Sequence, residues 1–191
     1  MIELRSHSVE DTRAIAGVIA GLVGAGDLIV LAGEMGAGKT AFAQGFAKSL
    51  GINDPVTSPT YTLVHTYEPA GTEHGLISRL REISHSNTVN SRTTHSTTNS
   101  NTITVHHVDL YRLEHTGEVE DLALDELLED NSVMLVEWGD MVDLGPHLQV
   151  AIRVTGAQDA TDARDIVVTA SDKRWSTRWD RLVAELEAWS A

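Results

Sequence analysis

A chain of 191 residues with 41% apolar content carries enough hydrophobic material for one buried core and too little length for two, so residues 1–191 are expected to form a single domain. A formal net charge of −14, from 28 acidic and 14 basic side chains, argues against a protein that grips nucleic acid by its phosphates, which takes a basic face; for most of these carboxylates solubility is role enough. No apolar run reaches the roughly eighteen residues of a membrane span, the polar start MIELRSHSVEDT has no secretory signal, and the absence of cysteine suits a cytoplasmic protein without disulfides.

In chain order, SVEDTRAIAGVIAGLV opens on Ser8, a helix N-cap with Asp11 three residues on. It sets Ile15, Ile19, Leu22 and Val23 on one face, as in a helix packed on a sheet. DLIVLAG follows as a short buried strand over 28–32 and runs directly into GEMGAGKT, residues 33–40. A glycine, four residues, then glycine, lysine and a hydroxyl residue is the complete pattern of a phosphate-binding loop between a strand and a helix. Gly33, Gly36 and Gly38 allow positive φ and close approach to an anion. The loop's backbone N–H groups, those of Glu34, Met35 and Ala37 among them, and the positive end of a helix starting at about Lys39 then meet phosphate oxygens. Lys39, one of three lysines in the chain, reaches the β and γ phosphates in this motif, and the Thr40 hydroxyl ligates Mg²⁺. Phe42, Phe46 and Leu50 continue the helix to a stop near Gly51.

In VTSPTYTLVHTYEP, TSPT is turn-like and YTLVHTY alternates as a strand does. GLISRLREIS is a candidate short amphipathic helix bearing Arg79 and Arg81. Over residues 84–104, 16 of 21 side chains are Ser, Thr or Asn, too little to bury against the entropy of ordering, so this stretch reads as a disordered or mobile surface insertion. ITVHHVDLYRL resumes as a strand ending in Asp109. GEVEDLALDELLED is an acidic helix with Leu124, Leu127 and Leu128 at core spacing, and VMLVEW is a second buried strand ending in a carboxylate, Glu137. The neighbours His106 and His107 face opposite sides of a strand and cannot chelate one metal together; His107 is read as a packed or hydrogen-bonded core residue. LQVAIRV and RDIVVTA suggest an antiparallel hairpin at a sheet edge. The closing WSTRWDRLVAELEAW aligns Trp175, Trp179, Leu182, Leu186 and Trp189 in a helical stripe, a core or docking face rather than a cofactor box. The whole reads as a three-layer α/β P-loop domain with a mostly parallel sheet and a C-terminal antiparallel hairpin. In such a sheet Asp109 and Glu137 both reach the carboxyl edge, beside the phosphate loop, where these folds bind ligands.

Among phosphate-binding classes, GTPases read guanine with N/T-K-x-D, and none of Lys39, Lys48 and Lys173 has an aspartate two residues on. A small-molecule kinase with an arginine-bearing lid stays open, with Arg79, Arg81 and Arg92 as lid candidates. GEMGAGKT, SPTYTLVHTY, HVDLYRL and VEW, in that order and spacing, together resemble the bacterial TsaE (also YjeE) family, the ATPase of tRNA threonylcarbamoyladenosine biosynthesis. The resemblance runs from about residue 5 to 155, with a Ser/Thr/Asn-rich link longer than the family's usual one. It implies a cytoplasmic ATPase that binds Mg-ATP, is slow alone, and works with the TsaB and TsaD proteins. Those partners would attach a threonylcarbamoyl group to the adenosine beside the anticodon, so that this chain meets tRNA only through them. Position by position, it implies Gly33, Gly36, Gly38 and Lys39 on the phosphates and Thr40 and Asp109 on Mg²⁺. Thr60 would be a switch residue sensing the γ-phosphate, and Glu137 would polarise water or hold a metal-bound water. Trp138 is the family's tryptophan beside that glutamate. From residue type alone, Asp109 and Glu137 can instead be ordinary strand-end carboxylates and Thr60 a turn cap after Pro59, and either acid can be the metal ligand.

Overall fold

The computed structural model describes residues 1–69, 103–113, 119, 122–128, 131–155 and 162–191. GLISRLREIS, with Arg79 and Arg81, lies outside them, as do Arg92 and the Ser/Thr/Asn-rich stretch up to residue 102. That stretch ends earlier than its composition suggests: Ile103 packs on the core and Thr104 opens a strand.

Seven strands form one sheet: β1 (Ile2–Ser6), β2 (Leu28–Ala32), β3 (Val64–Tyr67), β4 (Thr104–Asp109), β5 (Ser132–Glu137), β6 (Leu148–Val154) and β7 (Arg164–Ala170). They lie in the order β1-β7-β6-β2-β5-β4-β3. The central block β6-β2-β5-β4 is parallel, while β7 on β6, β1 on β7 and β3 on β4 pair antiparallel. Every residue of β2 and β5 is buried, the pattern of central strands covered on both faces. The β6–β7 hairpin forms as expected, from Leu148↔Ala170 to Val154↔Arg164, but it is not the sheet edge. β1, which the sequence reading passed over, takes that place, and its alternating burial of Ile2, Leu4 and Ser6 is the period of a half-buried strand. The chain's end covers β1 in turn, through a Leu4–Ser190 bridge and the Ala191 N–H to the Glu3 carbonyl.

Helices α1 (Val9–Ala20) and α2 (Lys39–Ser49) cover one face. Ile15, Ile19, Phe42 and Phe46 are fully buried there against Ile29, Leu31, Leu135 and Val150. The Ser8 side chain caps α1 by accepting from the Asp11 N–H, and Asp11 accepts from the His7 N–H. On the opposite face a short α3 (Leu124–Leu128) packs with Val30, Val108, Met134 and Val136. This helix holds the three leucines of the acidic helix expected over residues 117–130; Ala123, at φ +46°, stands just before it, and residues 117, 118, 120, 121, 129 and 130 of that expectation lie outside the described residues. The strand expected over YTLVHTY begins only at Val64. Thr62 and Leu63 both donate to the Pro59 carbonyl, and Leu63 sits at φ +65°, which turns the chain before it can pair.

The C-terminal stripe is core, as read, though split into two 3₁₀ turns around a seven-residue α4 (Trp179–Glu185). Trp175, Leu182 and Leu186 are fully buried, and Trp179 and Trp189 are partly so. Arg178 pins this segment to the body. Its guanidinium donates twice to the carboxylate of Asp27, which is 1% exposed, and once to the Leu22 carbonyl, and it lies over the Trp175 ring. Arg178→Ala strands a buried carboxylate and should cost about 3 kcal/mol, a melting temperature lower by about 6–12 °C. Thermal unfolding followed by circular dichroism checks this, and an unchanged Tm contradicts it. Among the described residues no helix is long and apolar enough to cross a membrane.

Candidate functional site

The phosphate loop hangs between the end of β2 and the start of α2. Its glycines are demanded by the backbone: Gly33 stands at φ +141°, and a Cβ there would lie 2.2 Å from the Ile152 carbonyl oxygen. Gly38, at φ +115°, is the N-cap of α2, and having no side chain it offers that helix no side-chain cap. Donors left at a helix start in this way suit an anion. Ala37 points its methyl into the core and its carbonyl outward to Arg164 of β7, whose Nε donates to it at 2.7 Å.

Lys39, 4% exposed, folds its ammonium back over the loop. Nζ donates to the Gly33 and Glu34 carbonyls at 2.7 and 2.9 Å and lies 3.8 Å from the centre of the Trp138 ring. Burial holds its pKa below the ordinary lysine value, opposed by the carboxylates of Glu137, Asp109, Asp140 and Glu34. Trp138 is held in the left-handed region at φ +63°, and its ring leans on Tyr111 at 5.1 Å.

The two strand-end acids are register partners, Asp109 on β4 opposite Glu137 on β5, and are only 2% and 3% exposed. Each has its own donors. Glu137 Oε1 accepts from Thr40 Oγ1 at 3.0 Å and lies 3.0 Å from His107 Nε2. Asp109 Oδ2 accepts from Ser58 Oγ and, at 2.7 Å, from Thr60 Oγ1, while Oδ1 accepts from the Tyr111 N–H at 3.0 Å. Thr60 thus spends its hydroxyl on an acid of the site, beyond any part in the turn after Pro59. A cleft of about 480 Å³ opens onto these groups. Met35, Gly36, Gly38, Lys39, Thr40, Thr60, Asp109, Glu137 and Trp138 line it. Gly33 and Glu34 serve it through the carbonyls that hold Lys39, and Ala37 through the brace to Arg164.

Three contributors escaped the sequence reading. Ser58 is the hydroxyl two residues before Thr60 in the same SPT turn. His107 shares the inward face of β4 with Asp109, two residues on, and a strand's period carries that signal. Arg164 carries no local signal, being 127 residues from the carbonyl it braces. One hydroxyl and two adjacent carboxylates beside a phosphate cradle form a hard-oxygen donor set that fits Mg²⁺, which takes one or two carboxylates together with substrate phosphates.

Comparison with known proteins identifies the family and the fold. A family model described as "Threonylcarbamoyl adenosine biosynthesis protein TsaE" matches residues 6–86 and 75–166. The chain is 32% identical over 184 residues to the tRNA threonylcarbamoyladenosine biosynthesis protein TsaE of Bacillus subtilis, covering 95% of this chain and 93% of that protein. To the protein of the same name from Streptomyces coelicolor it is 33% identical over 163 residues, 83% and 90% of the two chains. Among solved structures, Bacillus subtilis YdiB superposes with a TM-score of 0.66 at 27% identity, over 96% of this chain and 97% of that one.

Proposed function

The chain belongs to the TsaE family, and from this membership we propose that it is a P-loop ATPase. On this reading it binds and hydrolyses Mg-ATP to support threonylcarbamoylation of the adenosine next to the anticodon in tRNA. The observation that carries the reading is the bond from Thr40, the last residue of a complete phosphate loop, to Glu137, with Asp109 in register beside it. The loop N–H groups and Lys39 hold the phosphates. Thr40 and Asp109 hold Mg²⁺, which when bound neutralises charge on the transferring phosphoryl group. Glu137 orients and polarises the attacking water, and Trp138 lies against the bound nucleotide. Ser58 and Thr60, both bonded to Asp109, couple the turn at residues 57–63 to occupancy of that acid, which gives Thr60 its part as a switch.

The partners of this reading are TsaB and TsaD, which carry out the group transfer, with tRNA contacted through them. The acidic balance of −14 supports an indirect route, because a phosphate-rich ligand calls for a basic face. The protein acts in the cytoplasm, which its cysteine-free composition suits. Depleting the protein from its own cells and measuring threonylcarbamoyladenosine in hydrolysed tRNA by mass spectrometry tests the proposal. The modified nucleoside should fall on depletion and return with the wild-type chain. An unchanged level sinks the reading and favours a free-standing kinase.

A further inference from the structure

We propose that His107 is a positioning residue that fixes which oxygen of Glu137 meets the attacking water. The inference rests on the reading of Glu137 given above, but its hydrogen-bond part stands on geometry alone. His107 is 1% exposed and does not line the cleft, so it touches Glu137 and no substrate. Its Nε2 lies 3.0 Å from Glu137 Oε1, while its Nδ1 is buried with no hydrogen-bond partner among the described residues. A carboxylate only accepts, so Nε2 carries the hydrogen. The ring's hydrogen bond therefore runs from Nε2–H to Glu137, and Nδ1 takes no part in it.

Two donors, His107 and Thr40, converge on Oε1, whereas Oε2 has only a 3.4 Å approach from Thr40. Oε2 is therefore the oxygen with lone pairs to spare for a water in the cleft. The two donors differ in kind. On the reading above Thr40 would also hold Mg²⁺, so its hydroxyl would be shared between the metal and Glu137. His107 is held on β4 between Leu135 of β5 and His65 of β3, its register partners, and stays where it is. The backbone of Glu137 is fixed likewise, its carbonyl accepting from the Leu110 N–H at 3.1 Å. What remains free is the side-chain torsion, and the His107 N–H removes that freedom.

Gln and Asn at position 107 separate positioning from bulk and polarity, because the amide nitrogen of Gln reaches the place of Nε2 and that of Asn stops short at the place of Nδ1. His107→Asn should lower single-turnover hydrolysis by about 10–100-fold, the usual effect of losing a partner that orients an active carboxylate, with Mg-ATP affinity little changed. His107→Gln should recover most of the rate. Thermal unfolding of both variants confirms that they fold. His107→Asn hydrolysing at the wild-type rate, His107→Gln as slow as His107→Asn, or a loss of nucleotide affinity matching the loss of rate would each overturn the proposal. Long-range ¹H–¹⁵N spectra of the histidine rings in the full wild-type chain give a readout independent of turnover. The His107 ring should show a hydrogen on Nε2 and shift in Glu137→Gln. An Nδ1–H tautomer overturns the proposal even in a protein that hydrolyses ATP. A wild-type chain that shows the expected ring signature and yet hydrolyses no ATP with its partners overturns the account of Glu137 and water, and leaves the hydrogen bond standing.

Discussion

Lys39→Ala should abolish ATP turnover and leave the fold in place. The ammonium is the one cationic group that the phosphate loop itself supplies, and removing a preorganised charge-stabilising donor from such a site costs about 10²–10³-fold in rate, roughly 3–4 kcal/mol of transition-state stabilisation. Stability should change far less. Lys39 is almost fully buried although it stands on the phosphate loop, and that burial already penalises its charge. Its removal relieves that penalty. The Gly33 and Glu34 carbonyls that it holds belong to loop residues with access to water. Single-turnover hydrolysis beside thermal unfolding separates the two effects, and turnover at the wild-type rate would show that the loop is not a working phosphate site.

The second large effect divides the two acids. Glu137→Gln keeps an amide oxygen to accept from Thr40 and from His107, so the local bonds can survive. What it loses is the base, and general-base removal lowers the rate by about 10²–10⁴-fold. Mg-ATP binding should persist and turnover should fail, so that the complex with the partner proteins outlives that of the wild type. Asp109→Asn acts earlier. It removes a charge from the metal set and places an NH₂ group among the Ser58, Thr60 and Tyr111 donors that Asp109 now accepts. Nucleotide affinity should fall by about tenfold or more, at least ~1.4 kcal/mol, in the presence of Mg²⁺ and change little in its absence. Nucleotide titrations with and without Mg²⁺ decide between the acids. If Glu137→Gln loses binding and Asp109→Asn keeps it, the two roles are exchanged.

Much of this site could be read before any coordinates, because its chemistry is local. The glycine spacing of residues 33–38, the hydroxyl at Thr40 and the acids ending two apolar strands are each patterns confined to a few consecutive residues. The topology of a parallel sheet then brings those strand ends together. The Ser8 cap and the β6–β7 hairpin were legible for the same reason. Contacts chosen by pairing across the sheet were not. β1 has the right alternation but gains its place only when Arg164–Ala170 presents an edge to it. The Tyr61–Leu63 segment alternates like a strand, yet the Pro59 carbonyl takes two of its N–H groups first. His107 was assigned to the core, where it does lie, but its partner Glu137 is 30 residues away on the next strand. A strand's period tells which face a side chain takes and not what stands opposite it.

The central claim is that this phosphate loop serves an ATPase whose work depends on other proteins. ATP hydrolysis by the purified full-length chain, measured alone and then with TsaB and TsaD from the same cells, tests it most directly. The account predicts slow hydrolysis alone, a clear rise on adding both partners, and no rise with Lys39→Ala. A rate that the partners leave unchanged, or rapid phosphoryl transfer to a small-molecule acceptor in their absence, would contradict it.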